Sequence, residues 1–387
     1  MKEQVQRKSI RPRSGALFAL VCIGWIVSGV HPSLAVDPQT NDVPLFITPP
    51  SLVKDIWPGN DHSVPEFLVD YRGFLYFSAN DGLHGKELWR SDGTKAGTYL
   101  VKDILPGENG STLRELAVGN DLLFFVARSG SSESWELWKS DGTEAGTQRI
   151  KEIDPYEEVN HGLLGTENTL FFMGADSESG YELWKSDGTG AGTSRVKDIV
   201  PGPSHAYPVL WARLQGEVFF TADAPGVGRE LWKSDGTEAG TVLVKEIVPG
   251  IDSPWISCMR EHNGILFFSV QDWIHGAELW KSDGAAASTV LVKDIVPGPG
   301  SSYPCDLASK DDLLYFRAQD DLDRSGLWRS DGTESGTWMV KAVDTPSDLV
   351  RSGSLLFFSA FAKNEDLGIN YRGPWKSDGT EGGTVAV

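Results

Sequence analysis

Cysteine is scarce in this 387-residue chain: Cys22, Cys258 and Cys305 are the only three, and no CxxC pair occurs. A ribbon-type zinc site or a disulfide-dense scaffold is thereby excluded. Long apolar runs are missing too. The longest, ALFALVCIGWIVSGV from Ala16 to Val30, has fifteen residues, short of the ~20 that a membrane-spanning helix requires. Positive charge is in deficit, with 35 Lys+Arg against 54 Asp+Glu and a net charge of −19. Such a field repels phosphate backbones and anionic headgroups, so nucleic-acid and membrane-surface partners are disfavoured. No GxSxG, HExxH or P-loop spacing occurs, so no residue is assigned as catalytic. No segment holds a helical apolar period long enough to compete with strands.

The first 35 residues read as an export signal. A basic stretch ends at Arg13, the apolar run follows, and Ser33-Leu34-Ala35 places small residues where a signal peptidase cuts. These residues carry five basic side chains and one acidic, so the remainder would stand at −23. The expectation is a protein that is secreted, periplasmic or at the cell surface, with no span after cleavage. Residues 36–50, rich in Pro, Asp, Asn and Thr, read as a linker. Cys22 leaves with the signal. Cys258 and Cys305 lie 47 residues apart, and in an exported chain they either bridge or remain two buried thiols.

What the chain has in abundance is one motif. ELWRSDGTKAGTYLVKDILPG, from Glu87 to Gly107, returns in six further copies anchored at Trp138, Trp184, Trp232, Trp280, Trp328 and Trp375. From Trp89 onward the spacings are 49, 46, 48, 48, 48 and 47 residues, and a fixed period of this size signals stacked supersecondary units. Each period holds four short aromatic or β-branched segments bounded by Gly, Asp or Asn, which read as strands. The second carries adjacent large apolar residues: Leu123-Phe-Phe, Leu170-Phe-Phe, Val218-Phe-Phe, Leu266-Phe-Phe, Leu314-Tyr-Phe and Leu356-Phe-Phe. Neighbouring strand residues face opposite ways, so both sheet faces must be buried.

A sheet covered on both faces by copies of itself is a propeller blade. The expectation for residues 51–387 is an all-β, seven-bladed β-propeller of four-stranded blades. Ser51 to Gly59 repeats only the tail of the motif, and the last copy stops at Val387, short of KDI. The two ends therefore compete for the outer strand of blade seven, and the ring is expected to be closed by an N-terminal strand.

The SDGTxxGT turn has a structural explanation in Asp92, Asp141, Asp187, Asp235, Asp283, Asp331 and Asp378. Each carboxylate can accept backbone N–H groups that follow it, the next Gly takes a positive φ, and the later Gly, such as Gly97, is expected in the left-handed region. A Ca²⁺ loop is the competing explanation, but each turn supplies one carboxylate where calcium takes six to eight oxygens. No metal and no cofactor is assigned.

Through these seven copies, residues 51–387 resemble the ELWxxDGT repeat family of bacterial exported proteins. The resemblance implies propeller-like repeats and no particular activity. The turn is also similar to the Asp-box of sialidase-type propellers, with a different spacing that carries no sialidase chemistry across. Function is then sought on the loop face opposite the SDGT turns, where copies differ most. Its candidate ligand-binding residues are Trp57, His62, His84, His161, His205, Tyr207, Trp255, His275 and Tyr303, with loop acids such as Asp81, Asp176, Asp272 and Asp320. Aromatic platforms beside carboxylates suit a monomeric binding or scaffold module for a glycan, peptide or protein. A polysaccharide hydrolase or lyase with its site in the central funnel, and a structural spacer of a cell-surface assembly, are the alternatives.

Overall fold

The computed structural model describes residues 51–387 except 131–133, 155–161, 177 and 365–368, with backbone alone at 154, 363, 364, 369 and 370. It holds seven four-stranded antiparallel sheets, each built from strands taken in chain order. Blade one shows the plan: Glu66–Tyr71, Phe74–Asn80, Lys86–Ser91 and Tyr99–Lys102. First strands of successive blades lie against one another from blade one to blade seven, which makes them the innermost edge. The SDGT turn joins the third strand to the fourth in every blade. No helix among the described residues is long and apolar enough to cross a membrane.

The double aromatic of the second strand does what its alternation demands. In blade four Phe219 pairs in register with Lys233, and Phe220 with Trp232. Phe219 packs into a core with Ile256, Leu266 and Phe268 of blade five, whereas Phe220 packs with Leu183 and Ile199 of blade three. Both rings are fully buried. Removing one such ring costs about 3–5 kcal/mol, so each interface is held mainly by these side chains. Close approach also fixes the turn glycine of the next blade. A side chain built on Gly142, Gly236, Gly284, Gly332 or Gly379 would run into Tyr76, Phe171, Phe219, Phe267 or Tyr315 of the blade before it.

Closure corrects one expectation. The outer strand of blade seven is Val385–Ala386, paired with Lys376 and Trp375 of the same blade. The N-terminal copy forms no strand. A turn of a few residues brings Val385 to its partner, whereas the N-terminal copy would have to close a loop of more than 300 residues, and the shorter loop costs less entropy. The N-terminal segment instead packs against blade one. In blades two to six the fourth-strand lysine donates to the turn carbonyl of the next blade: Lys151 to Thr193 at 3.0 Å, Lys197 to Thr241, Lys293 to Thr337 and Lys341 to Thr384 at 2.8 Å, Lys245 to Thr289 at 2.7 Å. Lys54 makes the same bond to Thr98 of blade one at 2.6 Å. Ile56 joins Phe77, Ala79 and Trp89, as Ile199 joins Phe220 and Trp232.

Among the described residues, blades seven and one do not pack against each other as the other successive blades do. A side chain built on Gly93 would meet nothing within 4 Å. Phe357, the counterpart of the buried Phe219, is partly exposed.

Candidate functional site

The SDGT turn closes on itself. Asp92 Oδ1 accepts the Thr94 N–H at 2.8 Å and the Thr94 hydroxyl at 2.7 Å. The same Thr94 Oγ1 accepts the Gly97 N–H at 2.9 Å, and the Thr98 hydroxyl donates to the Thr94 carbonyl at 2.7 Å. Asp141, Asp187, Asp235, Asp331 and Asp378 repeat the pattern. These hydrogen bonds, the threonine hydroxyl foremost, hold each of those carboxyls below its ordinary pKa. Gly93 has φ +87°, as its place in the turn requires.

Gly97 is not left-handed, which corrects the reason given for it above. A Cβ there would stand 2.0 Å from the Asp92 carboxylate, so glycine is demanded by space. Blade five, which lacks both Thr and Gly, reaches the same turn by another route. Ala285 offers only its N–H to Asp283, at 3.0 Å, and the Ser288 hydroxyl supplies the missing bond to that carboxylate. Among the described residues no group of three His, Cys, Asp or Glu is arranged to hold a metal ion.

On the opposite face the candidate residues divide. His84 Nδ1 lies 2.7 Å from Asp81 Oδ2, and Asp81 Oδ1 accepts the N–H groups of Leu83 and His84 at 2.9 Å. That hydrogen bond raises the His84 pKa. In blade five His275 meets Asp272 in the same way at 2.6 Å. Both histidines brace their own hairpin loop, and the D-x-x-H spacing was the signal for it. Asp176 and Asp320 cap the corresponding loops of blades three and six. Trp57 is half-buried with its ring against Gly82, where a Cβ would come within 2.5 Å of the indole nitrogen. His62 is exposed, far from any such brace in sequence. His161 lies outside the described residues.

His205 and Tyr207 are brought together. Their rings lie 4.9 Å apart, and Tyr181, which sequence reading passed over, completes a three-ring cluster at 5.2 and 5.6 Å. His205 Nδ1 accepts the Tyr181 N–H at 3.0 Å. Arg229 donates to the Tyr207 carbonyl at 2.7 Å and pairs with Asp223 at 3.1 Å, fixing the platform.

Trp255 and Tyr303 also converge. They line one crevice of about 250 Å³ with Ser257, Ser269, Gln271 and Arg317. The bridged pair Cys258 and Cys305 belongs to the same wall, with Cα atoms 5.2 Å apart, so the open choice between bridge and free thiols is resolved as a bridge. A β-bulge makes it possible. Register slips between Ser257 and Arg260, and Cys258 takes φ +52°, which re-aims its side chain toward blade six.

A further class of group escaped the sequence reading. The motif glutamates Glu87, Glu182, Glu230 and Glu278 are buried, and burial pushes each up to about 7. Each clamps the connection to the next blade. Glu87 accepts Leu105 N–H at 3.0 Å and Ser111 N–H at 2.9 Å, and Glu278 accepts Ile295 and Ser302 N–H at 3.0 Å. Blades six and seven carry Gly326 and Gly373 in their place.

The fold has relatives among solved structures. A structure from a study of two prolyl endopeptidases superposes with a TM-score of 0.53 at 12% identity, covering 84% of this chain and 50% of that one. Prolyl oligopeptidase B from Galerina marginata, bound to a 35-residue substrate, gives 0.51 at 10% identity, covering 82% and 48%. The chain thus spans about half the length of each, and at this identity the likeness is one of fold alone. No protein-family model matches the sequence, nor does any curated protein. The chain is an all-β propeller of seven four-stranded blades.

Proposed function

We propose that the chain is an exported binding module of the ELWxxDGT repeat type, recognising a partner through its loop face. One observation carries this reading. Tyr207, Trp255 and Tyr303, at 41%, 72% and 59% exposure, present their rings to solvent on three consecutive blades while most large aromatics are buried. They occupy the same position in the repeat, each 48 residues after the last. Flat apolar rings held on a rigid scaffold, beside polar groups, are the ordinary composition of a recognition surface. His84 and His275 each brace their own hairpin loop on separate blades, so neither is set beside the other as a shared general base. The test is a binding screen of the full chain, expressed with its own N-terminal segment, against glycan and peptide arrays with and without Ca²⁺. A selective ligand on either array supports the reading. Silence on both leaves the role of structural spacer.

A further inference from the structure

The crevice between blades five and six has a chemistry narrower than "binding surface". Its two rims are planar rings, Trp255 and Tyr303, and its interior offers hydroxyls and an amide from Ser257, Ser269 and Gln271. These groups both donate and accept hydrogen bonds, as sugar hydroxyls do. The guanidinium of Arg317 is paired through Nε with Asp306 at 3.1 Å, which offsets its charge at the crevice. The chain's net charge of −19 further opposes an anionic polymer. At about 250 Å³ the space is smaller than the ~300–1,000 Å³ that houses a drug-sized ligand. It has room for one ring-sized unit, and the rest of the ligand would lie outside. Tyr207, one repeat earlier on blade four, extends the aromatic row in that direction.

We propose that this crevice binds a neutral oligosaccharide, with Trp255 and Tyr303 packing on the sugar ring it admits and the Cys258–Cys305 bridge holding the two platforms at a fixed separation. The assignment rests on the binding reading above and specifies its ligand class and location. Trp255 stands three residues before Cys258, and Tyr303 two before Cys305, so the bridge ties together the strands that carry both rings.

The experiment is titration calorimetry of the full chain with a panel of neutral β- and α-linked oligosaccharides and, in parallel, a set of unmodified peptides. Variants are Trp255→Ala, Tyr303→Ala and the control Tyr99→Ala, an exposed aromatic on an outer strand. Expected is binding of at least one saccharide, weakened about three- to tenfold by either crevice variant and unchanged by the control, in line with loss of one aromatic contact. Reduction of the bridge, with folding checked by circular dichroism, is expected to weaken saccharide binding as well. Saccharide binding that ignores both crevice variants overturns the location. Binding of peptides alone overturns the ligand class while leaving the binding module intact. No binding by either panel overturns both.

Discussion

The bridge between Cys258 and Cys305 gives a prediction that can be worked through from geometry to measurement. It spans 47 residues, one full repeat, and joins the inner strands of blades five and six. Constraining a loop of that length lowers the entropy of the unfolded chain by an amount worth about 4 kcal/mol at 25 °C in the chain-entropy treatment. The Cys258→Ser/Cys305→Ser double variant keeps two small polar side chains and loses only the covalent tie. Its unfolding midpoint in guanidinium should fall by roughly 1 M, taking a slope of a few kcal/mol per molar. Hydrogen exchange should rise first between blades five and six, because the other interfaces keep their aromatic packing. Two outcomes refute the reasoning: two alkylatable thiols in the unreduced native protein, or a double variant whose midpoint equals that of the parent.

Other expectations concern the turns, the tail and the buried glutamates. Gly97→Ala should destabilise blade one by about 1–3 kcal/mol through collision with Asp92; Thr94→Ala/Gly97→Ser, which copies the blade-five solution, should recover part of that loss in thermal melts. Lys54→Ala should raise hydrogen exchange in blade one selectively and cost about 1 kcal/mol, the worth of one hydrogen bond. Glu87, Glu182, Glu230 and Glu278 are raised to about 7 from 4.5, so the folded chain holds more protons than the unfolded one between those values. Their contribution therefore makes stability fall as pH rises from 4.5 to about 7, with no further change above. Melting temperature should be lower at pH 8 than at pH 5.5, and Glu230→Gln should reduce the difference; a flat profile in the parent would contradict the burial effect.

The blades were legible in the sequence because two independent periods agree: the tryptophan recurs every 46 to 49 residues, and the Phe-Phe pairs alternate within each strand. Either pattern alone would leave a linear stack open. What stayed hidden depends on contacts between residues far apart or on backbone detail. The bulge that turns Cys258 toward Cys305 has no composition signal. The choice of Val385–Ala386 as the outer strand of blade seven follows from loop-closure entropy, not from which copy of the motif is more complete. For His84 and His275 an aspartate three positions earlier was a legible signal of a loop-bracing partner. In the site, exposure of Trp255 and Tyr303 was expected from their place in the loops; the polar interior of their crevice was not, since Gln271 and Ser269 come from the strand behind.

The loose fit at Gly93 and Phe357 gives the molecule a preferred place to come apart. Six junctions are welded by interlocking side chains, and no such cluster of described residues joins blade seven to blade one, where the N-terminal lysine and isoleucine rest on blade one alone. Thermal breathing and proteolytic nicking should therefore begin there and spread around the circle in both directions. During synthesis the same junction must be the last of the seven to form, because blade seven follows the other six in the chain.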